Sequence, residues 1–338
     1  MMRVSVLRGA GKIDVEERPI PQPGAGEVLI AIGSVGVCGS DVHYYEHGRI
    51  GPYVVESPLV LGHEAGGTVT QLGPDVTSLS VGQRVSIEPG IPCRNCRQCL
   101  AGRYNLCPRV RFFATPPYDG VFAEYVVMPE SFVFPIPDHL SDDAAGLLEP
   151  LSVGVWACRR ASIGPESRVL VTGAGPIGLI SAQTARAFGA AEVLITDVNP
   201  LRLSVAAELG LTPIDVSAAP LTVTGVEVNV LLECSGNAQA TWDAIQQVDR
   251  AGCAVLVGMG SDELRLPLAH VQDREITVTG AFRYANTWPT AITLAAAGRV
   301  DLDRLVTGHY SLDDVEQALT AQRRDRATMK VIVRPGQQ

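Results

Sequence analysis

Residues 167–178 read Ser-Arg-Val-Leu-Val-Thr-Gly-Ala-Gly-Pro-Ile-Gly, a short apolar run that breaks into a glycine turn. Gly173, Gly175 and Gly178 form G-x-G-x-x-G directly after a strand-like run and at the head of a helix-like segment, PIGLISAQTARAFG. The first glycine permits a tight turn, the second lets backbone approach a pyrophosphate, and the third allows close helix packing. Pro176 and Ile177 lie at the helix start, where N–H groups and the helix dipole favour phosphate. The next apolar run, AEVLITD, ends at Asp197, where a carboxylate can accept hydrogen bonds from an adenosine ribose. A 2′-phosphate there would meet like charge, with no Arg in Val198-Asn199-Pro200 to offset it, so NAD is expected over NADP. Arg202 reads either as a flank for the adenine or as a solvated helix residue.

Working outward, NPLRLSVAAELG and NAQATWDAIQQVDRAG read as helices, and VNVLLECSG, CAVLVGMG and ITVTGAF as strands. The alternation predicts a doubly wound parallel sheet of six strands. Beyond it come a helix (PTAITLAAAG), a capped helix beginning at Ser311 and a strand, MKVIVR, in a tail expected to return to the first domain. Before it, the first 150 residues carry Gly and Pro turns between short alternating runs such as EVLIAIGSVGV and GQRVSIEP, the pattern of a barrel-like all-β domain. A length of 338 residues suits two domains better than one.

The net charge of -9 opposes a large nucleic-acid footprint. No run reaches the roughly 20 apolar residues of a membrane helix, and the start, MMRVSVLRGAGKIDVEE, has no secretory pattern, so a cytoplasmic location is expected. Lys12 and Lys330 are the two lysines among 27 basic residues, which reads as compositional bias. Eight cysteines in such a chain point to metal binding rather than disulfides. Cys158, Cys234 and Cys253 stand in apolar runs and read as small core residues.

Cys93, Cys96, Cys99 and Cys107 give C-x2-C-x2-C-x7-C, able to wrap four thiolates around one Zn²⁺. Four sulfurs close the shell, so this zinc would be structural. Arg94, Arg97, Arg103, Arg109 and Arg111 around it read as counter-charges or solvated residues. Elsewhere Cys38 lies in VGVCGSDVHYY, His63 and Glu64 in LGHEAGG, and Glu149 in LLEPLSVG. By themselves these read equally as a core thiol, a hydrogen-bonded histidine and a carboxylate at a helix start.

The cysteine lobe, GAGPIG, RFFATPPYDG, LEPLSVG and Phe282-Arg283-Tyr284-Ala285-Asn286-Thr287-Trp288-Pro289 together resemble the zinc-dependent medium-chain dehydrogenases, nearest to the sorbitol (polyol) dehydrogenase family, over essentially the whole chain. The resemblance implies an α/β protein, with a GroES-like β-barrel catalytic domain at 1–151 and 284–338 and a Rossmann NAD-binding domain at 152–283. It implies Cys38, His63 and Glu64 around a catalytic zinc, with Glu149 as a further ligand or as the partner of its water. Such a mixed shell leaves zinc able to act as a Lewis acid, with Asp41 fixing the tautomer of His63. A proton path through Glu149, Ser40 or His43 and a substrate pocket of Tyr44, Phe112, Glu149, Arg283 and Tyr284 are implied likewise. Val257, Gly258, Met259, Ala281, Phe282 and Arg283 resemble nicotinamide-side contacts; Arg283-Tyr284 otherwise reads as a hinge. Some sorbitol dehydrogenases lack the four-cysteine lobe, a difference that bears on stability more than chemistry.

The activity so implied is oxidation of a secondary hydroxyl of a sugar alcohol of the sorbitol or xylitol type to a ketose, with hydride passing to NAD, in a homotetramer without nucleic-acid or membrane partners. Rival readings are a related dehydrogenase acting on threonine, a vicinal diol or a simple alcohol, and a noncatalytic zinc- or nucleotide-binding protein.

Overall fold

The run EVLIAIGSVG is apolar on both faces, and it forms the central strand Glu27–Gly36 of a seven-stranded sheet. In the computed structural model, which describes residues 1–261 and 263–336, this strand pairs antiparallel with Glu64–Leu72 and with Tyr125–Pro129. Its last residues also pair with the C-terminal strand Lys330–Val333. Gly36 therefore faces Glu64 on one side and Ile332 on the other. Three distant stretches of chain meet at one residue.

Arg84–Ile87 and Val133–Pro135 extend one edge of the sheet, while Val306–Tyr310 runs parallel to the C-terminal strand. Met2–Gly9 forms a smaller sheet with Lys12–Arg18 and Leu59–Val60. Val28, Ile30, Val35, Phe122, Met128 and Val333 lie fully buried in the core of this unit.

The second unit holds the parallel sheet, in the order Thr212–Asp215, Glu192–Asp197, Arg168–Thr172, Val228–Glu233, Val248–Leu256, Thr277–Gly280. Strand order reverses between Arg168–Thr172 and Val228–Glu233, which is where such sheets bind ligands beyond their strand ends. Leu170, Leu231, Ile245, Val248 and Ala254 form its core.

Three expectations about elements need correction. The stretch NAQATWDAIQQVDRAG is helical only over Ala238–Ile245, and its last part opens the strand Val248–Leu256. Parallel pairing with Val228–Glu233 overrides local helix preference there, and the pairing shifts register at a kink where Ala251 has φ +58°. The sheet has the six strands expected, but five runs account for five of them; the sixth, Thr212–Asp215, is hidden in sequence by Pro213, which an edge strand tolerates. The cap at Ser311 first opens a 3-10 turn, Leu312–Asp314, and the α-helix proper is Val315–Arg324.

The chain divides into Met1–Glu149 with Leu302–Gln338, and Pro150–Asp301. The expected boundary at 283/284 thus moves to 301/302. The helix Trp288–Ala296 goes with the parallel sheet because Arg159 donates to Asn286 O at 2.7 Å and Thr290 Oγ1 at 2.8 Å, while Asp301 N donates to Gln183 Oε1 at 2.9 Å. The first boundary falls two residues earlier than expected, within the helix Asp142–Arg160 at Pro150, whose missing N–H removes one helical hydrogen bond. Among the described residues no helix is long and apolar enough to cross a membrane.

Gly62, just before His63, has φ +86°, and a Cβ there would lie 2.8 Å from the ring of buried Phe122. Gly82 has nearly the same φ, +87°, with open space around it. Gly82→Ala should cost about 1 kcal/mol through backbone strain alone. Gly62→Ala should cost about 2–4 kcal/mol, because overpacking adds to that strain. Urea unfolding of both variants checks the difference, and equal losses would remove the packing argument.

Candidate functional site

The central strand ends at Gly36, and Cys38 caps the helix Gly39–His47 that follows. Asp41 in its first turn is wholly buried; one carboxylate oxygen accepts from Cys38 N at 3.0 Å and the other from Gly62 N at 2.9 Å. The latter oxygen also lies 3.6 Å from His63 Nδ1. One carboxylate therefore joins the turn carrying Cys38 to the turn carrying His63 and Glu64. Cys38 Sγ, a ring nitrogen of His63 and a carboxylate oxygen of Glu64 lie within 4.8 Å of one another.

Burial works against a charged His63, but the Asp41 carboxylate and Cys38 raise its pKa well above the ordinary histidine range. Burial likewise works against ionised Asp41, and His63 with the two backbone donors holds it below its ordinary value. Two carboxylates and a thiol gathered around one buried imidazole suit a divalent cation. One thiolate, one imidazole and carboxylate oxygen are a donor set that zinc accepts. Glu64 Oε2 is buried and lies 2.6 Å from the Lys330 ammonium.

Glu149 is not in that set. It is buried on the helix Asp142–Arg160, where its charge is felt by Glu88 and by Lys330. Tyr44 and Phe112 are buried, and the Phe112 ring centroid lies 5.8 Å from that of His63. Ser40 is half-buried and His43 is exposed.

The four lobe cysteines also converge, with ligand sulfurs within 4.8 Å of one another. Cys96 and Cys99 sulfurs are 3.4 Å apart and those of Cys93 and Cys99 3.9 Å. Four sulfurs at about 2.3 Å around one tetrahedral zinc would sit about 3.8 Å apart, so the set fits. Asn95 N–H, then Cys107 and Arg109, pull the Cys93 thiol down to about 6. Arg109 Nη2 approaches Cys93 Sγ at 3.3 Å, in keeping with the counter-charge reading. The lobe is seated on the sheet by Tyr104, whose hydroxyl donates to Glu88 at 2.7 Å, and by Arg94, stacked over Phe132 at 5.6 Å.

In the second unit, Gly173 has φ +82° and a Cβ on Gly178 would lie 1.8 Å from Gly173 O, so neither position admits a side chain. Gly175 caps the helix Pro176–Ala187, with only the tip of Arg202 within 4 Å of where its Cβ would be. Asp197 accepts from Ala174 N at 2.7 Å, Val198 N at 2.7 Å and Asn199 N at 2.8 Å, and Arg202 Nη1 stands 4.0 Å from it. Gly173, Gly175, Asp197 and Arg202 line one cavity of about 400 Å³ beyond the strand ends. These glycine contacts, the helix start and the carboxylate fit a dinucleotide.

Val257 and Gly258 both donate to Glu233 O at 2.8 Å, and Ala281 N donates to Leu256 O at 2.9 Å. Met259 and Phe282 are exposed, and the Arg283 guanidinium lies over the Phe282 ring at 4.9 Å. Arg283 itself has φ +51°. Tyr284 is buried, edge-on to Trp288 at 5.2 Å.

Sequence reasoning missed three residues. Glu233 Oε1 accepts from Thr172 Oγ1 at 3.1 Å, Ser235 N at 2.9 Å and Gly236 N at 3.0 Å, tying the turn after its strand to the end of Arg168–Thr172. Its signal was a lone carboxylate ending VNVLLE. Lys330, buried, donates to Glu64 Oε1 at 2.6 Å and Val37 O at 2.8 Å. Its signal was a lysine opening an apolar strand in a chain whose other cations are nearly all Arg. Glu88, the third, follows the buried run Arg84–Ile87.

A family model described as alcohol dehydrogenase GroES-like domain matches residues 24–138, and one described as zinc-binding dehydrogenase matches 176–297. The chain is 43% identical to a sorbitol dehydrogenase of Bacillus subtilis (strain 168), over 99% of this chain and 97% of that protein. It is 43% identical to one of Gallus gallus, over 94% and 92% respectively. Among solved structures, L-idonate 5-dehydrogenase from Escherichia coli str. K-12 substr. MG1655 superposes with a TM-score of 0.92 at 31% identity, covering 99% of this chain and 98% of that one. A 2R,3R-butanediol dehydrogenase from Bacillus subtilis superposes at 0.90 with 30% identity, covering 99% and 100%.

Burial pushes the Glu88 carboxyl up from 4.5 to about 7; the Tyr104 hydrogen bond opposes this and the Glu149 charge adds to it. Between those values the folded chain keeps a proton that the unfolded chain has lost, so this group makes unfolding easier as pH rises. Glu88→Gln removes that dependence. The variant should gain about 2–3 kcal/mol relative to the parent between pH 5 and pH 8, read by urea unfolding at both. An offset independent of pH would show that Glu88 ionises normally.

Proposed function

The chain belongs to the zinc-binding medium-chain dehydrogenases, in the sorbitol dehydrogenase family, and on that premise we propose that it oxidises a secondary hydroxyl of a sugar alcohol of the sorbitol or xylitol type to a ketose, with NAD as hydride acceptor. The observation that carries this reading is the convergence of Cys38, His63 and Glu64 in a chain that also has the Gly173–Gly178 turn.

Cys38, His63 and Glu64 would hold the catalytic zinc, with Glu149 as a further ligand or as the partner of a water, and the four lobe cysteines a structural one. There zinc would supply Lewis acidity to a hydroxyl presented to it, and NAD would supply the hydride acceptor. Asp41 orients His63 and keeps it from swinging away, as carboxylates beside ligating histidines do. Glu149, Ser40 or His43 would take the hydroxyl proton; Glu149 is buried, Ser40 half-buried and His43 exposed, so a proton held on His43 can pass to water.

Tyr44, Glu149, Arg283 and Tyr284 would hold the remaining hydroxyls of the substrate, with Phe112 as an apolar wall. Polar partners of this kind select against analogues that leave them unpaired. Gly173, Gly175, Pro176, Ile177 and Gly178 would receive the pyrophosphate, Asp197 and Arg202 the adenosine end. Val257, Gly258, Met259, Ala281, Phe282 and Arg283 would receive the nicotinamide end. Asp197 supports NAD over NADP by like-charge repulsion of a 2′-phosphate.

The setting is taken as cytoplasmic, where thiols stay reduced and the five cysteines assigned to zinc remain available as ligands. A homotetramer is proposed on the family resemblance and on the strand Thr277–Gly280, which pairs on one side only among the described residues.

Two experiments test the reading. Elemental analysis should find two zinc ions per chain; Cys38→Ala should hold one and lose turnover while keeping the fold, and a fully active Cys38→Ala would remove Cys38 from the site. NAD reduction should be faster with sorbitol or xylitol than with ethanol, threonine or butanediol. Arg283→Ala should cost polyols about 1.5–3 kcal/mol in kcat/KM and 2-propanol much less. A proportionate loss on both would place Arg283 in cofactor binding or packing.

A further inference from the structure

Lys330 opens the C-terminal strand Lys330–Val333 with its ammonium buried beside Glu64. Nζ lies 2.6 Å from each carboxylate oxygen and donates to Oε1. It also donates to Val37 O at 2.8 Å, and Val37 N donates to Val331 O at 3.0 Å. The residue next to Cys38 is thus held from both sides by the C-terminal strand. The carboxylate is seated against Gly36, where a Cβ would lie 2.1 Å from Glu64 Oε2, so only glycine leaves it space.

A buried ion pair is poor stability in itself, since desolvation of both partners offsets most of their attraction. A methionine of similar volume would pack as well. What an ammonium adds here is a compact positive charge among the groups that converge on the metal position, and its charge interacts with Cys38 and Glu149 as well as with Glu64. A guanidinium is planar and wider, and this is one of two places among 27 where the basic residue is not arginine.

We propose that Lys330 is a positioning residue of the metal site: its ammonium is a resident cation that holds Glu64 and the Val37–Cys38 turn in place without metal, and it competes with the metal for that carboxylate. The consequence is a site that stays folded when empty but binds zinc less tightly than its ligands alone would. Removing the charge should destabilise the empty form most, since Glu64 is then buried without a counter-ion, and zinc should relieve that defect.

The inference rests on Cys38, His63 and Glu64 forming a zinc site, and the test separates the two. Wild type and Lys330→Met are compared with the weaker zinc equivalent stripped by dipicolinate and then restored, the four-thiolate zinc remaining bound. Stripped Lys330→Met should melt about 5 °C or more below stripped wild type, and the restored proteins should differ by much less. By linkage, the Kd of the weaker zinc, measured by chelator competition, should fall at least about tenfold in Lys330→Met. Equal losses in both forms, or a Kd that is unchanged or higher, would overturn the proposal. If stripped Lys330→Met does not fold, the neutral pair Glu64→Gln with Lys330→Met should restore melting close to that of stripped wild type, and failure to do so equally overturns it. Wild type holding a single zinc would instead overturn the zinc site itself.

Discussion

Burying carboxylates in one corner of a β domain is the constraint on which the rest of this structure turns. Asp41, Glu64, Glu88 and Glu149 are all nearly inaccessible to water, and an ionised carboxylate so placed is costly unless it is paired or hydrogen-bonded. The first three find different remedies. Asp41 takes two backbone N–H groups and faces His63, Glu64 takes an ammonium, and Glu88 keeps a proton to about pH 7 beside Tyr104. The remedies are also the geometry, because the groups that satisfy these acids are carried by the turns that hold Cys38 and His63 and by the last strand.

The dinucleotide-binding unit solves the same problem with backbone. Asp197 and Glu233 each accept several N–H groups from the turns that follow strand ends, so the glycine loop and its neighbour are shaped before any ligand arrives. A site ordered in advance loses less entropy on binding. Carboxylates that already accept backbone donors still have lone pairs to offer ribose hydroxyls, so shaping the loop and reading the ligand are compatible in one side chain.

The four-thiol lobe is bracketed by a small strand pair in which Phe112 faces Gly90. Phe112 also lies against His63, and Tyr104 within the lobe donates to Glu88. A closed metal site on this loop would therefore hold one wall near His63 as well as stabilise the loop. That gives a physical route by which a structural metal can matter to chemistry without taking part in it.

The glycine turn at 173–178, the alternation around it and the cysteine spacing at 93–107 were legible in the sequence, since each is a local pattern whose physics is contained in a few consecutive residues. The meeting of Cys38, His63 and Glu64 was not legible from spacing. It came only through resemblance, because it depends on the register of Glu27–Gly36 against Glu64–Leu72. The strand at Val248 was misread as helix because a partner strand outweighs local preference, and Thr212–Asp215 was unseen because Pro213 masks an edge. The segment Tyr284–Asp301 was assigned to the wrong unit, since its anchors, Arg159 and Gln183, lie more than a hundred residues away. Lys330 is the sharpest case. In the sequence it is one of two lysines in an arginine-biased chain, and only the pairing of the last strand with Gly36 carries its charge to Glu64, because what a buried charge does is decided by the groups that the fold places within a few ångströms of it.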